Sequence, residues 1–497
     1  MEQNSNSNSY QSILEATGVF GAMQFIKMAV IVVSYKFIAV FLGPIGIGIV
    51  GLVTNTINII SAVTSFGIST TSVREIANAS GKPDSAQKTS ETIYLVQKMA
   101  LGIGIFGTVL TIIFSPLLSQ LTFGSSNKYY WFVFLSINFI FTSYTASRVA
   151  ILQGMRMLKT IAISNIVSSI LVSICSVALY YFLRFDGIIY VILLASAINL
   201  MVNIYYTRNV QQQVNRLPIS EIWNKAIPIV KLGFLLSINV IFGYVCTFLI
   251  KLYLNNKGAA LEIVGFYEVS TVILISYVGM IFNAMAIDFY PRLTSINENH
   301  SEMKNLVNHQ IEIALLLLTP AILFLYITAP YWIELLYSKD FLPVNMILKA
   351  GLFAMIIKAV IWPLGFIILA KGDKKQYFIQ ELLGDFLNVS LTILSYNYFG
   401  LLGIGLASIL NFSLYGFYVY RVVNKKFGFT FKVACAKIIV FSLFVGAASC
   451  LCLFYFSNFT AQIIISILLF FSLVYSFRGI NKRVGLRNYY LKIKNKF

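Results

Sequence analysis

Charged side chains are scarce in this sequence, and their scarcity argues against a water-soluble protein. Asp, Glu, Lys and Arg together make up only 11% of the 497 residues, whereas hydrophobic residues make up 58%. Soluble globular domains contain about 25% charged residues. With so little polar surface, lipid must cover much of the exterior, and the composition indicates an integral membrane protein.

Cysteine and histidine are also rare, and their positions argue against a metal or disulfide framework. The five cysteines show no framework spacing, and four of them lie within apolar runs. The two histidines, His300 and His309, lie nine positions apart in a segment that we predict to be a polar loop. Neither belongs to a pattern of metal ligands, so we expect no metal and no cofactor.

Long apolar runs, in contrast, fill most of the chain. A membrane-spanning helix needs about 20 mostly apolar residues, and we predict fourteen such spans, all helical. The segments between the spans are short, which leaves no room for a soluble catalytic domain. The sequence therefore predicts an all-α polytopic membrane protein that is not an enzyme. The predicted spans are residues 19–42, 45–66, 99–121, 129–147, 160–183, 188–207, 232–250, 263–287, 313–333, 350–370, 376–398, 401–420, 438–456 and 461–477.

The basic residues are distributed unequally between the two sides of the membrane. If the N-terminus is cytoplasmic, 27 Lys and Arg residues lie in the inner loops and the C-terminal tail, and only four lie in the outer loops. An excess of basic residues marks cytoplasmic loops, so we predict that both termini are cytoplasmic. The net charge of +19 is thus explained by loop anchors, and no nucleic acid is implied. We expect the basic tail to contact anionic lipid headgroups.

Several lysines lie inside predicted spans, where a charge is costly. Lys27 and Lys358 lie roughly 12 Å or more from either end of their spans, and a charge at the bilayer centre costs about 2.5–3.5 kcal/mol on insertion scales. Such residues usually face a water-filled interior, so we predict that both line a cavity. Lys36 and Lys251 lie closer to the outer boundary, where a lysine can either line a cavity or extend to the interface. Lys349 is expected to extend to the interface.

Two carboxylates, Glu381 and Asp385, share one face of the predicted span 376–398. They are four positions apart, near its cytoplasmic end. They could pair with Lys358 of the preceding helix, bind a cation or titrate during transport. Alternatively, they lie at the membrane interface and pair with Lys374 and Lys375.

A membrane cavity with fixed positive charge favours an anionic ligand. A diphosphate carries about two or more negative charges, and each Lys–phosphate contact contributes a few kcal/mol at an intermediate dielectric constant. These contacts would offset the cost of placing the lysines in the membrane. A cavity for a cationic drug would need the opposite sign.

Two stretches, residues 35–52 and 250–267, indicate an internal repeat. Each has a lysine near the outer end of a helix and then runs through a loop into the tripeptide "IVG", so that Lys36 corresponds to Lys251. This register is expected for two six-helix halves in tandem. The predicted organisation is a six-helix bundle (1–208), a cytoplasmic linker (209–227), a second six-helix bundle (228–427), two extra transmembrane helices (428–477) and a basic cytoplasmic tail (478–497).

Six stretches between residue 12 and about residue 427 resemble a known family. They include "FLGPIGIGIVGLV", "SFGISTTSVREIA", "DFYPRLTSI" and "LLYSKDFLPV", and they are similar to the polysaccharide (O-antigen, Wzx-type) flippases. The superfamily of these flippases also contains multidrug and toxic-compound exporters and lipid II flippases. The resemblance implies two six-helix bundles that form a V and open alternately to each side of the membrane.

The resemblance also implies a substrate and a location. The substrate would be an undecaprenyl-diphosphate-linked oligosaccharide, such as an O-antigen repeat unit, moved from the cytoplasmic to the periplasmic leaflet of the bacterial inner membrane. Basic cavity residues of related flippases are thought to hold the diphosphate, and Lys27, Lys36, Lys251 and Lys358 are the matching candidates. A polysaccharide polymerase or other assembly machinery would be a natural partner.

Two other functions fit parts of the sequence. A drug or cation antiporter on the same scaffold would carry carboxylates, not lysines, at the centre of its first and tenth spans. A membrane polysaccharide polymerase would ordinarily carry catalytic His, Asp, Glu or Arg groups in an outer loop. The longest outer loops, near Ser125 and Ser338, contain no histidine, and their charged residues are only Lys128, Glu334, Lys339 and Asp340. We therefore favour the flippase over both.

Overall fold

The computed structural model describes the backbone of residues 2–65, 68–80, 86–210, 218–258, 261–296 and 298–484. Side chains are described from residue 32 onward, apart from residues 66–70, 81–86, 158, 209, 211–217, 219–220, 223–225, 228–232, 234–236, 257–260, 297 and 484–497.

Within this part of the chain, every regular element is a helix, and the prediction of an all-α polytopic membrane protein is confirmed. Ten helical segments among the described residues are long and apolar enough to cross a membrane, and some of them contain two helices. The predicted number of fourteen crossings stays a prediction. The main helices are α1 (Glu2–Ser65), α2 (Ile68–Ser80), α3 (Ala86–Phe123), α4 (Tyr129–Leu135), α5 (Ile137–Gly154), α6 (Leu158–Leu183), α7 (Gly187–Thr207), α8 (Ile219–Gly258), α9 (Leu261–Thr271), α10 (Met280–Ser295), α11 (His300–Leu336), α12 (Val344–Ala370), α13 (Lys374–Phe427), α14 (Val433–Tyr455) and α15 (Asn458–Val484).

The chain divides into two compact units. The first unit is Val32–Gly265, and the second contains Phe266–Phe497 together with Met1–Ile31. In the first unit, α3 and α5 pack together, α6 packs on α7, and α8 packs on α2 and α3. In the second unit, α12 packs extensively on α13, and α11 contacts α12, α14 and α15. The division into two six-helix bundles around a linker at 209–227 stays a prediction.

Two helices are far too long for one membrane crossing, and each breaks at a glycine. The 54 residues of α13 would extend about 80 Å if straight, against a hydrocarbon core of about 30 Å. The chain reverses at Gly400, whose φ is 57°. Asp373, just before α13, binds Lys426 at its far end with a distance of 2.8 Å from Oδ2 to Nζ. The two halves of α13 are therefore antiparallel, which confirms the turn predicted at "FGLLGIG".

The break in α1 uses the same local sequence as the break in α13. Both breaks occur at the first glycine of Gly-x-x-Gly-Ile-Gly, with φ of 64° at Gly43, in the left-handed region that glycine adopts without strain. The last glycine of each motif permits a close helix contact. A Cβ at Gly48 would overlap the Leu261 carbonyl oxygen, and one at Gly405 would overlap the Ile347 carbonyl oxygen. The motif therefore provides both the reversal and the packing that follows it.

The start of α11 differs from the sequence prediction. The segment with His300 and His309 is helical and not a loop, and His309 is buried. The Asn299 side chain caps this helix by accepting a hydrogen bond from the Glu302 amide at 3.2 Å, which satisfies a backbone donor at the helix end. The first turn of α11 is exposed, whereas the polar residues Asn308, His309, Gln310 and Glu312 are buried.

A buried ion pair joins α11 to α15. Arg483 Nε donates to Glu312 Oε2 at 2.6 Å, and the two side chains are 16% and 2% exposed. The guanidinium also donates to the Gly479 carbonyl at 3.0 Å. We predicted Arg483 to lie in the basic tail after residue 477, but α15 continues to Val484. Because its charge is matched by Glu312 inside the protein, Arg483 holds the C-terminal helix in place.

Lys349 has a partner that the sequence did not indicate. Its ammonium group donates to the Leu453 carbonyl at 3.3 Å, and its extension to the membrane interface stays a prediction. Leu453 lies in the last turn of α14, where carbonyl groups have no partner within the helix. Lys349 therefore caps α14, and the negative end of the helix dipole favours its charge.

Removing one member of the Glu312–Arg483 pair should destabilise the protein strongly. Glu312→Ala leaves the Arg483 guanidinium without its charge partner, at a cost of about 3–5 kcal/mol. We expect a clearly lower melting temperature of the purified protein in detergent. The matched control is Glu334→Ala, which breaks the exposed pair with Lys339 (48% and 79% exposed) and should cost less than about 1 kcal/mol. Equal melting temperatures for the two variants would contradict this role of the buried pair.

Candidate functional site

Lys358 lies on a cavity of about 300 Å³ within the second unit. It is only partly exposed, and its ammonium nitrogen lies 5.8 Å from the ring centroid of Phe282 and 5.5 Å from that of Phe412. These contacts are cation–π interactions, which stabilise a charge that has lost most of its water. Within the described residues, Lys358 forms no ion pair and no hydrogen bond. Its hydrogen-bond donors are therefore available to a ligand.

One face of α12 forms half of the cavity. The spacing follows the helical period, because positions three, four, seven, eight and eleven residues after Lys358 lie on the same side of a helix. Trp362 also packs on Phe282, Phe289 and Phe366, with ring centroids 5.3–5.7 Å apart, so this wall is rigid and aromatic. The lining residues from α12 are Lys358, Ile361, Trp362, Gly365, Phe366 and Leu369.

The other half of the cavity comes from both arms of α13. The first arm contributes Tyr377, Gln380 and Glu381, and the second contributes Phe412 and Tyr415. The reversal at Gly400 brings these arms side by side, and the Gln376 side chain fixes them by donating to the Tyr418 hydroxyl at 2.7 Å. The turn motif is therefore needed to assemble the site.

The structure brings two of the predicted site residues together. Lys358 and Glu381 line the same cavity without forming an ion pair, whereas Asp385 is not among the lining residues. The Gln380 amide oxygen is buried there without a hydrogen-bond partner among the described residues. The cavity thus offers an ammonium group, a carboxyl group, an amide and two phenol hydroxyls, all beside aromatic rings. Such a set can bind a polar anionic group and can also take up a proton or a cation.

Lys251 lies in the first unit, where its contacts hold two helices together. It is 4% exposed, and its ammonium group donates to the Gly51 carbonyl at 3.0 Å. Asn55, one turn after Gly51, donates in return to the Tyr244 carbonyl at 3.0 Å. These two bonds join α1 to α8. Lys251 therefore fastens one helix to another, and its burial leaves little room for contact with a substrate in this conformation.

The structure does not decide the role of the other two predicted lysines. Lys36 is partly buried in the first unit. The side chain of Lys27 lies outside the described residues. Both therefore stay predictions as substrate contacts.

Sequence reasoning identified Lys358 and Glu381 but missed the rest of this cavity. The α12 residues of the cavity could have been found from the sequence. Trp362, Gly365 and Leu369 lie four, seven and eleven positions after Lys358, and therefore on the same side of the helix. The contribution of Phe412 and Tyr415 could not be found in this way, because it depends on how the second arm of α13 packs after the turn.

A labelling experiment can show whether the Lys358 cavity contains water. A Cβ at Gly365 would meet only Gln380 Nε2 at 3.8 Å and Tyr415 Oη at 3.9 Å, so Gly365→Cys fits without strain. In a background with the native cysteines replaced by alanine, this thiol should react with a water-soluble anionic methanethiosulfonate. The matched control, Leu414→Cys, places a thiol on the apolar outer surface, where Leu414 is 49% exposed, and should not react. An unreactive Gly365→Cys would mean that the cavity is closed to water.

Comparisons with known proteins agree with this architecture. No curated protein matches the sequence. Among solved structures, the lipid II flippase MurJ in an inward closed conformation is similar at 17% identity and a TM-score of 0.69, over 93% of this chain and 98% of that one. An inward-facing multidrug resistance MATE family transporter of the MOP superfamily matches at 15% identity and a TM-score of 0.61, over 81% and 94%. An outward-facing one matches at 14% and 0.58, over 84% and 96%.

These structural similarities show a shared fold. The sequence itself matches the model of one family, described as polysaccharide biosynthesis protein, over residues 37–346. That match covers more than half of the chain and confirms the family resemblance of the sequence motifs. The chain therefore belongs to the polysaccharide biosynthesis protein family.

Proposed function

We propose that this protein is a flippase that moves an undecaprenyl-diphosphate-linked oligosaccharide across the bacterial inner membrane. The substrate would be a repeat unit of a surface polysaccharide, such as an O-antigen unit, and it would pass from the cytoplasmic to the periplasmic leaflet. The observation that carries this proposal is Lys358, which belongs to a helix long and apolar enough to cross a membrane, lines a cavity and forms no ion pair with any described residue. The family match supports a role in polysaccharide biosynthesis.

The diphosphate is the part of the substrate that Lys358 would bind. Hydrogen bonds between an ammonium group and a phosphate are charge-assisted and roughly twice as strong as neutral ones. In a cavity walled by aromatic rings, the effective dielectric constant is lower than in water, which strengthens the attraction. The bound phosphate would in turn offset the cost of keeping Lys358 away from bulk water.

The sugars explain why a protein is needed at all. Each hydroxyl that enters hydrocarbon without a hydrogen-bond partner costs several kcal/mol, so an oligosaccharide crosses a bilayer extremely slowly by itself. A hydrated passage through the protein keeps the sugars solvated, while the prenyl chain stays in the lipid. Inward-facing and outward-facing structures with this fold support alternating access as the mechanism.

Glu381 is the candidate for coupling transport to a proton or cation, with Asp385 one turn away on the same helix. An ionised Glu381 repels a diphosphate in the shared cavity and attracts the Lys358 ammonium group. When Glu381 takes up a proton or a cation, it no longer repels the diphosphate or attracts Lys358. Lys358 would then bind the diphosphate more tightly. Lys27, Lys36 and Lys251 remain candidates for further phosphate contacts, Lys251 only in a conformation that exposes it.

A drug or cation antiporter is the second candidate function. The observation that favours it is Glu381, a carboxyl group in the same cavity as the aromatic residues Trp362 and Phe412, since a cationic drug could bind there. The two functions differ in the sign of the charge that matters. The flippase needs Lys358, whereas the antiporter needs Glu381 and is not helped by a lysine beside it.

Loss of the Lys358 charge should abolish polysaccharide export. In a deletion strain complemented with Lys358→Ala or Lys27→Ala, we expect normal protein levels, no surface polysaccharide and accumulation of the lipid-linked glycan on the inner leaflet. The measurement is immunoblotting of surface polysaccharide together with mass spectrometry of the accumulated lipid. Lys339→Ala is the matched control, because this lysine is 79% exposed and its removal should leave export unchanged.

Two results would contradict the flippase. Normal polysaccharide in the Lys358→Ala and Lys27→Ala strains would show that neither ammonium group is needed. Sensitivity to cationic drugs in the deletion strain, restored by the Lys358→Ala protein but not by Glu381→Gln, would support the antiporter instead.

A further inference from the structure

Two adjoining cavities of a different kind lie in the first unit. One has a volume of about 280 Å³ and is lined by residues of α1, α2, α3, α5 and α8. The other has a volume of about 580 Å³ and is lined by residues of α2, α5 and α7. Thr142 and Ala146 line both cavities, so the two share one wall of α5. Together they have a size typical of small-molecule sites.

The polar side chains that line these cavities are uncharged, and they lie among apolar residues such as Ile103 and Val149. No Asp, Glu, Lys or Arg occurs among the described residues that line either cavity. Hydroxyl and amide side chains take their place. In the smaller cavity they include Asn58, Ser61, Ser65, Ser72, Thr142 and Ser143. In the larger cavity they are Thr142, Thr145, Gln153, Ser196 and Asn199.

One of these polar groups is buried without a partner. Ser72 is 0% exposed, and its hydroxyl oxygen has no hydrogen bond within the described part of the chain. A buried hydroxyl without a partner is unfavourable, so a ligand that bonds it would gain affinity. The Asn58 amide lies on the same cavity and is only half-buried.

The remaining hydroxyls present mainly hydrogen-bond acceptors. Ser143 donates to the Ala100 carbonyl at 2.8 Å, Thr145 to the Phe141 carbonyl at 2.7 Å, and Ser196 to the Leu193 carbonyl at 2.8 Å. Because each hydroxyl proton is used in this way, the oxygen lone pairs remain for a ligand. A ligand that suits this surface carries several hydroxyl donors, a few acceptors and no charge.

We infer that these two cavities form a binding site for the sugar residues of the lipid-linked glycan. This inference rests on the proposed function, which supplies the glycan. Sugars carry closely spaced hydroxyl groups that donate and accept, as the lining requires. A diphosphate would find no cation here, and an apolar drug would leave the Ser72 hydroxyl buried without a partner. Two kinds of interaction would thus recognise the substrate. The charge of Lys358 would bind the diphosphate, and the uncharged residues of the first unit would form hydrogen bonds with the sugars.

Two lipids that differ only in their sugars separate this site from the diphosphate site. We would measure binding of undecaprenyl diphosphate, and of undecaprenyl diphosphate that carries an N-acetylglucosamine-containing disaccharide, to the full-length protein in nanodiscs by native mass spectrometry. The variants are Ser72→Ala and Asn58→Leu. Ser176→Ala is the matched control, because this buried serine of the same unit lines neither cavity and donates its hydrogen bond to the Val172 carbonyl of its own helix.

We expect Ser72→Ala and Asn58→Leu to weaken binding of the disaccharide lipid about tenfold, as the loss of a good hydrogen bond predicts. Binding of undecaprenyl diphosphate should be unchanged in both variants, and Ser176→Ala should bind both lipids normally. Equal weakening for both lipids, or no weakening for either, would overturn the sugar site while leaving the flippase intact. If the unaltered protein binds neither lipid, the proposed function fails, and the sugar site fails with it.

Discussion

The membrane interior provides no hydrogen-bond partners, and this constraint determines which polar groups the protein can keep there. Most charged groups that the described helices place inside the protein are matched by a neighbour. Glu312 binds Arg483, Lys349 caps the end of α14, and Lys251 binds the Gly51 carbonyl. Each of these groups stabilises the contact between two helices. Lys358 differs, because it lies against two aromatic rings on a cavity and forms no ion pair or hydrogen bond with the described residues.

The difference between Lys358 and the matched charges is the reason to assign a function to its cavity. A charge that is matched inside the protein stabilises the fold, whereas a charge that faces a cavity can bind something that enters it. The Lys358 cavity suits a phosphate and also contains a carboxyl group that can compete with it. The uncharged cavities of the first unit suit hydroxyl groups. The lipid-linked glycan that we propose as the substrate would have both kinds of chemistry in one molecule.

The sequence predicted the features that depend on local pattern. The apolar runs predicted the all-helical membrane fold, and the motifs indicated the family. The glycines of "FGLLGIG" predicted the turn at Gly400. Lys358 and Glu381 could be singled out because a charge within an apolar run is visible without a structure. The roles of Lys349, Arg483 and Lys251 could not be predicted, since their partners are distant in sequence and two of these partners are backbone carbonyl groups. Likewise, the polar start of α11 resembled a loop, because burial by α14 and α15 leaves no signal within that segment itself.

The central claim is that the Lys358 ammonium group binds the diphosphate of a lipid carrier. The most direct test is an electron cryomicroscopy map of the protein in nanodiscs with undecaprenyl diphosphate. We predict phosphate density within hydrogen-bond distance of Lys358 Nζ, about 2.7–2.9 Å for a charge-assisted bond, in the cavity between α12 and α13. Phosphate density bound elsewhere, with Lys358 still packed between Phe282 and Phe412, would contradict the account.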